Sequence, residues 1–221
     1  MNAAANPRDA DGPSHHPAAN GIVHPSNGQA QTPSRPQRVL LLLDAQVCRL
    51  SDPPLGVPSA RAVGANIAKV LTAARACAPA TRPRIVHVRK CGMPGDPDEP
   101  RTATWALVHE PLPDEHVVDK RKNNAFTGTN LAELVPPDAE LIVVGLESDF
   151  CVRATCSAAL ARGNDVLLIR GAHATYDRVE YWDGGTSTPA DKVEREIEEE
   201  LEEAGVVLLD MADLPSLFAG R

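Results

Sequence analysis

Five short aliphatic runs constrain the fold of this chain more than any other feature. Residues 39–43 read VLLLL and stop at Asp44. Ile85, Val86 and Val88 form a second run, residues 141–146 a third, 166–169 a fourth and 206–209 a fifth. A half-exposed strand alternates apolar with polar, whereas an unbroken aliphatic run reads as a strand buried on both faces. Helical patterns lie between the runs. Ala60, Val63, Ile67, Val70 and Leu71 recur at helical spacing within residues 60–76, and residues 131–134 continue a helix that Pro136 and Pro137 terminate. A further helix is predicted over about 151–161, with Gly163 as its left-handed C-cap. Thr188, Pro189 and Asp191 fit N-cap, first-turn and capping-box positions. They open a helix with Val193, Ile197 and Leu201 on one face and Gly205 at its end.

Strands alternating with helices imply right-handed crossovers and a parallel sheet covered on both sides. The expected architecture is therefore α/β: a three-layer α/β/α, Rossmann-like fold with a central, mostly parallel sheet of about six strands. Val117 and Val118 make a weak, edge-like strand, and the Pro-, Gly- and Asp-rich stretch 91–101 reads as a loop. Residues 1–36 hold scarcely any large apolar side chains, which predicts a disordered tail before a single domain over 37–221. His15 and His16 fall in that tail, and a polar tail is a commoner setting for such a pair than a metal site.

The net charge of −8 leaves no global basic field for a nucleic-acid backbone or an anionic membrane. No apolar run approaches the length of a bilayer-spanning helix. The N-terminus lacks a basic-then-apolar leader pattern. Five cysteines, an odd number with no Cys-x-x-Cys pair, argue against a disulfide framework and point to a reducing cytosol.

In parallel sheets the ligand crevice lies beyond the carboxyl ends of the strands. That rule singles out Asp44, Arg89 and the segment ending at Cys151. Cys151 follows the run LIVVG and the turn LESDF near a helix start, where free N–H groups and positive potential favour thiolate. Taken alone, a small buried apolar cysteine is an equally good reading, and it is the one given to Cys156. Asp44 could be an ordinary turn residue or a carboxylate that exchanges protons with a thiol and a leaving group. Lys120, beside Arg121 and Lys122, could belong to a solvated basic cluster or stabilise a thiolate and a developing oxyanion. His87, a lone strand histidine, reads as structural, since one ligand makes no metal site.

The blocks RVLLLLDAQ, DKRKNNAF and VVGLESDFCVRATCSAALARGNDV resemble, in order, three blocks of the isochorismatase-like (cysteine hydrolase) family. Its members include nicotinamidases, N-carbamoylsarcosine amidases, ureidoacrylate and biuret amidohydrolases and isochorismatases. The likeness spans roughly residues 38–210. It implies a triad of Asp44, Lys120 and Cys151, with Lys120 selected over Lys122. It also implies a cis peptide between Leu146 and Glu147 and an oxyanion site made of the Glu147 and Cys151 backbone N–H groups. Gln46, Arg89 and Phe126 are the candidate substrate contacts, and the stretches 90–105 and 173–182 could close over the site. The resemblance further implies a homo-oligomer.

One departure concerns the segment after Gln46, where Val47, Cys48, Arg49 and Leu50 replace the family's usual residues. Another is the missing Asp-x-His motif, since Asp52, Pro53 and Pro54 stand there. No metal and no cofactor are therefore expected. Isochorismatases of the siderophore and phenazine pathways lack the cysteine, so Cys151 favours cleavage of a small amide or ureide C–N bond over vinyl-ether hydrolysis. A non-catalytic interaction protein on the same fold is the third reading.

Overall fold

Every one of the aliphatic runs becomes a strand of a single sheet. The computed structural model describes residues 37–219, so the expectations for residues 1–36, His15 and His16 included, lie outside the described residues. In chain order the elements are β1 (Arg38–Leu43), α1 (Val47–Leu50), α2 (Ala60–Arg75), β2 (Arg84–Lys90), β3 (His116–Lys120), α3 (Leu131–Leu134) and β4 (Glu140–Leu146). They continue as α4 (Arg153–Ala161), β5 (Asp165–Ala174), β6 (Arg178–Glu180), β7 (Thr186–Thr188), α5 (Ala190–Glu203), β8 (Val207–Leu209) and α6 (Leu214–Phe218). Six strands pair in the order β3-β2-β1-β4-β5-β8. Every neighbouring pair in that sheet is parallel.

The alternation of side chains along the strands divides the core into two layers. Leu41, Leu43, Val86, Val88, Val118 and Val143 face α3, α4 and α5, meeting Cys156, Ala159, Val193, Ile197 and Leu201. Leu40, Leu42, Ile85, Ile142 and Val144 face the other way, onto Val63, Ile67, Val70 and Leu71 of α2 and Leu217 of α6. Residues 39–43 are all fully buried, as a strand covered on both faces must be. No helix among the described residues is long and apolar enough to cross a membrane.

Three local readings need correction. The N-cap of α5 is Pro189, which has no side-chain acceptor to offer. Asp177 caps instead, its Oδ1 accepting from the Ala190 N–H at 2.8 Å, while the Thr188 hydroxyl is 3.0 Å from Glu180 Oε1. β5 runs on to Ala174 rather than stopping at Ile169. Its register breaks where Val143 faces Leu168 but Gly145 faces His173, so β5 carries extra residues in a bulge, among them Gly171 at φ 72°. The stretch 173–182 is therefore no simple flap. His173 is buried in the sheet between Ser148 and Glu198, and only from Arg178 does an antiparallel hairpin, β6–β7, project.

His87 is structural, as its isolation suggested. Its Nε2 lies 2.8 Å from Glu115 Oε2, and Arg75 donates to both oxygens of the same carboxylate at 2.7 and 2.8 Å. Burial pushes the Glu115 carboxyl up, but hydrogen bonds from Arg75, His87 and the Leu112 N–H outweigh it and hold the group at about 2. A depressed carboxyl contributes its full stability above its unfolded value and loses it as pH falls towards the folded value. Glu115→Gln is accordingly expected to lower unfolding free energy at pH 7 by about 2–3 kcal/mol. The gap to wild type should close between pH 4.5 and about 2. Urea titrations of both proteins across that range check it, and a gap independent of pH would refute the assignment.

Candidate active site

β1 ends where its aliphatic character does. Asp44 leaves the strand at φ 49°, its N–H bonded to Val88 O at 2.9 Å. Left-handed backbone is more open to Asp than to the β-branched or bulky residues of the strand before it. Lys120 ends β3, two strands away across β2, a separation of about 9–10 Å. Only a long side chain closes such a gap, and a lysine's flexible four-carbon stem does so. Its Nζ sits 2.7 Å from Asp44 Oδ2 and donates to Cys151 Sγ at 2.9 Å. All three side chains are buried.

An ammonium in such a place survives only with a counter-charge. Burial by itself pulls the Lys120 pKa down, and the neighbouring Asp44 carboxylate and Cys151 more than restore it, so the net shift is upward. Asp44 Oδ1, buried like its twin, has no hydrogen-bond partner among the described residues.

Cys151 lies in a wide π-type turn, Ser148–Val152, that precedes α4, and not in the first turn of an α-helix as expected. Its thiol is pushed up to about 12, first by burial and then by the Asp44 carboxylate, with Lys120 pulling the other way. Burial therefore outweighs the lysine, and the net shift is upward. Cys156, fully buried, is raised to about 12 by burial alone and is a core residue. Asn123 joins the site unforeseen. Its Oδ1 is 3.9 Å from Cys151 Sγ and 3.4 Å from Lys90 Nζ. The Leu146–Glu147 peptide is cis, and the Glu147 N–H has no acceptor among the described residues.

The candidate substrate contacts fare worse. Gln46 is buried and its amide is spent: Nε2 donates to Lys90 O and Trp105 O at 3.1 and 2.8 Å, and Oε1 accepts from the Lys90 N–H at 2.8 Å. It fastens both ends of the 90–105 stretch. Arg89 pairs in register with Asp119, so it lies on the opposite sheet face from Lys120. There it bonds both Asp119 oxygens and stacks on Trp105, 3.5 Å from the ring centroid. Phe126 packs against the core with the Arg162 guanidinium 4.6 Å above its ring, a packing role. Arg121 and Lys122 are exposed. No group of three or more metal-ligating side chains occurs among the described residues.

The model of the isochorismatase domain matches residues 38–190, well over half of the chain. The chain belongs to the isochorismatase family. Among curated relatives, a streptothricin hydrolase from Streptomyces noursei is 39% identical over 147 residues, 65% of this chain and 56% of its own length. A second streptothricin hydrolase from the same organism is 38% identical over 63% of this chain and 50% of its own length. The chain thus spans about half the length of the curated relatives it matches. An isochorismatase from Pseudomonas putida superposes with a TM-score of 0.71 at 29% identity, covering 81% of this chain and 92% of that one. An isochorismatase-family protein from Chromobacterium violaceum gives 0.72 at 27% identity, over 85% and 96% of the two chains. Membership of the isochorismatase family accounts for the six-stranded parallel sheet.

Proposed function

We propose that this chain is a cysteine hydrolase that opens the C–N bond of a small amide or ureide through a thioester on Cys151. The observation that carries the reading is the Lys120 ammonium held between Asp44 Oδ2 and Cys151 Sγ, at 2.7 and 2.9 Å. Burial favours the neutral thiol, so Asp44 takes its proton as the sulfur attacks, the unpartnered Oδ1 being the oxygen free to do so. Sulfur adds to the carbonyl, and the Glu147 and Cys151 N–H groups hold the oxyanion. Asp44 returns the proton to the leaving amine as the C–N bond breaks. Water then attacks the thioester, with Asp44 taking its proton and the departing sulfur regaining one. Lys120 is the counter-charge of the Asp44 carboxylate and steadies the sulfur as charge builds on it.

The streptothricin hydrolase relatives support hydrolysis as the reaction type. Acid-catalysed cleavage of a vinyl ether, as in isochorismate, would leave the Lys120–Cys151 contact without a role. The same reading includes a homo-oligomer in a reducing cytosol, where the five free cysteines would stay reduced. Hydrolysis of a panel of small amides and ureides by wild type and Cys151→Ala is the test. The variant should lose activity by roughly 10³-fold or more; equal rates in the two proteins would sink the proposal, and an isochorismate-cleaving activity that survives the change would favour the ether reading.

A further inference from the structure

Arg49 sits where the chain departs from the family pattern, and the chemistry above gives it no part. Its side chain is only 14% exposed, yet it spans two carboxylates: Nη2 is 3.0 Å from Asp98 Oδ2 and Nε is 2.8 Å from Glu147 Oε1. Asp98 is buried in the 91–101 loop, where its carbonyl accepts from the Gly92 N–H at 2.8 Å. Glu147 opens the turn that carries Cys151, and its own carbonyl accepts from the N–H groups of Phe150 and Val152 at 3.1 and 3.0 Å.

The base of the arginine is equally fixed. Its N–H donates to Gln46 O, and its carbonyl accepts from the Val57 N–H, both at 3.0 Å. Gly56 leaves no room beside it, since a Cβ there would lie 1.9 Å from Ser51 O and 2.9 Å from Arg49 O. Gln46 in turn is clamped to Lys90 and Trp105. The guanidinium is thus a buried strut with one foot on the loop and one on the turn. An arginine fork serves two carboxylates at once, which a single ammonium does poorly.

We propose that Arg49 is a positioning residue for the oxyanion site, holding the Glu147 carboxylate so that the Glu147 N–H stays aimed at the attacked carbonyl, and tying that aim to the 91–101 loop. This rests on the thioester reading, because only a carbonyl addition needs an oxyanion donor. Losing such a donor outright lowers rates by about 10²–10³-fold. Misplacing it by a fraction of an ångström to an ångström lowers them by roughly 10–100-fold.

Two small probes of the same sulfur separate this role from others. p-Nitrophenyl acetate acylates Cys151 through a tetrahedral oxyanion: the S–C bond forms, the C–O bond breaks, the thiol proton passes to Asp44 and p-nitrophenolate leaves. Iodoacetamide alkylates it by displacing iodide, with no oxyanion at any point. In the full chain, Arg49→Met should slow acylation by about 10–100-fold while alkylation stays within about twofold of wild type. Asp98→Asn, which weakens one foot of the strut, should slow acylation by roughly 3–10-fold with alkylation again unchanged. Equal slowing of both reactions would overturn the proposal, because the change would then act on the thiol or the fold; so would unaltered acylation. If Arg49→Met fails to fold, the same ratio in Asp98→Asn decides. Failure of the thioester reading has a separate signature: Cys151→Ala would keep the burst of p-nitrophenolate.

Discussion

Lys120→Met is expected to lose both catalysis and a large part of the stability of the fold. The methionine keeps most of the stem's volume, so the packing between β2 and β3 survives. What disappears is the only counter-charge within reach of the buried Asp44 carboxylate among the described residues. Breaking a buried pair from one side destabilises by about 3–5 kcal/mol, because the remaining charge stays desolvated. The sulfur loses its one stabilising neighbour as well, and its pKa, already about 12 in the intact site, goes higher still. Amide hydrolysis should fall by roughly 10³-fold or more. Urea unfolding at pH 7 and turnover of any substrate found with wild type measure the two effects. Activity within tenfold of wild type would show that the ammonium is only a structural charge.

Gly145→Ala should cost the fold about as much as a large core truncation. Gly145 has φ 127°, where L side chains are strained, and a Cβ there would lie 2.0 Å from Leu43 O and 2.7 Å from Leu43 N. Both obstacles are backbone of the neighbouring strand, so no side chain can swing aside. β1 and β4 would have to part at the rung Leu43–Gly145. That rung is one residue from Asp44 and two from Glu147, so the site opens with the sheet. Overpacking of this kind destabilises by about 3 kcal/mol or more. For a chain of this size that corresponds to a melting temperature lower by roughly 10 °C. A thermal scan showing a shift under about 2 °C would mean that the strands absorb the change elsewhere.

Much of this architecture was legible because uninterrupted aliphatic runs have few other uses. β1, β2, β4, β5 and β8 each grew from one, and the alternation with helices dictated a parallel sheet. The hairpin β6–β7 was not legible, since RVE and TST hold a single apolar residue, Val179, and form no aliphatic run. The cap of α5 was misread because Asp177 arrives from outside the local window. At the site, position at strand ends picked out Asp44 and Cys151, and the family resemblance selected Lys120 over Lys122. They could not say which face of a strand end looks into the crevice, and Arg89 lies on the other face from Lys120. Gln46 ties down a loop, and in sequence such an amide looks like one that serves a substrate. The contacts of Arg49 were hidden because its partners, Asp98 and Glu147, stand far along the chain.

The order of strands in space differs from their order in the chain, and that sets when the chemistry becomes possible. β3, β2 and β1 lie side by side, so Asp44 and Lys120 come to the same end of the sheet from strands that precede β4 in the chain. The sulfur comes in only when β4, made later, docks on the opposite flank of β1. Asp44 and Lys120 thus come from the earlier half of the described sheet, and Cys151 from the later half. A chain cut between β3 and β4 yields two pieces, neither of which holds a working site.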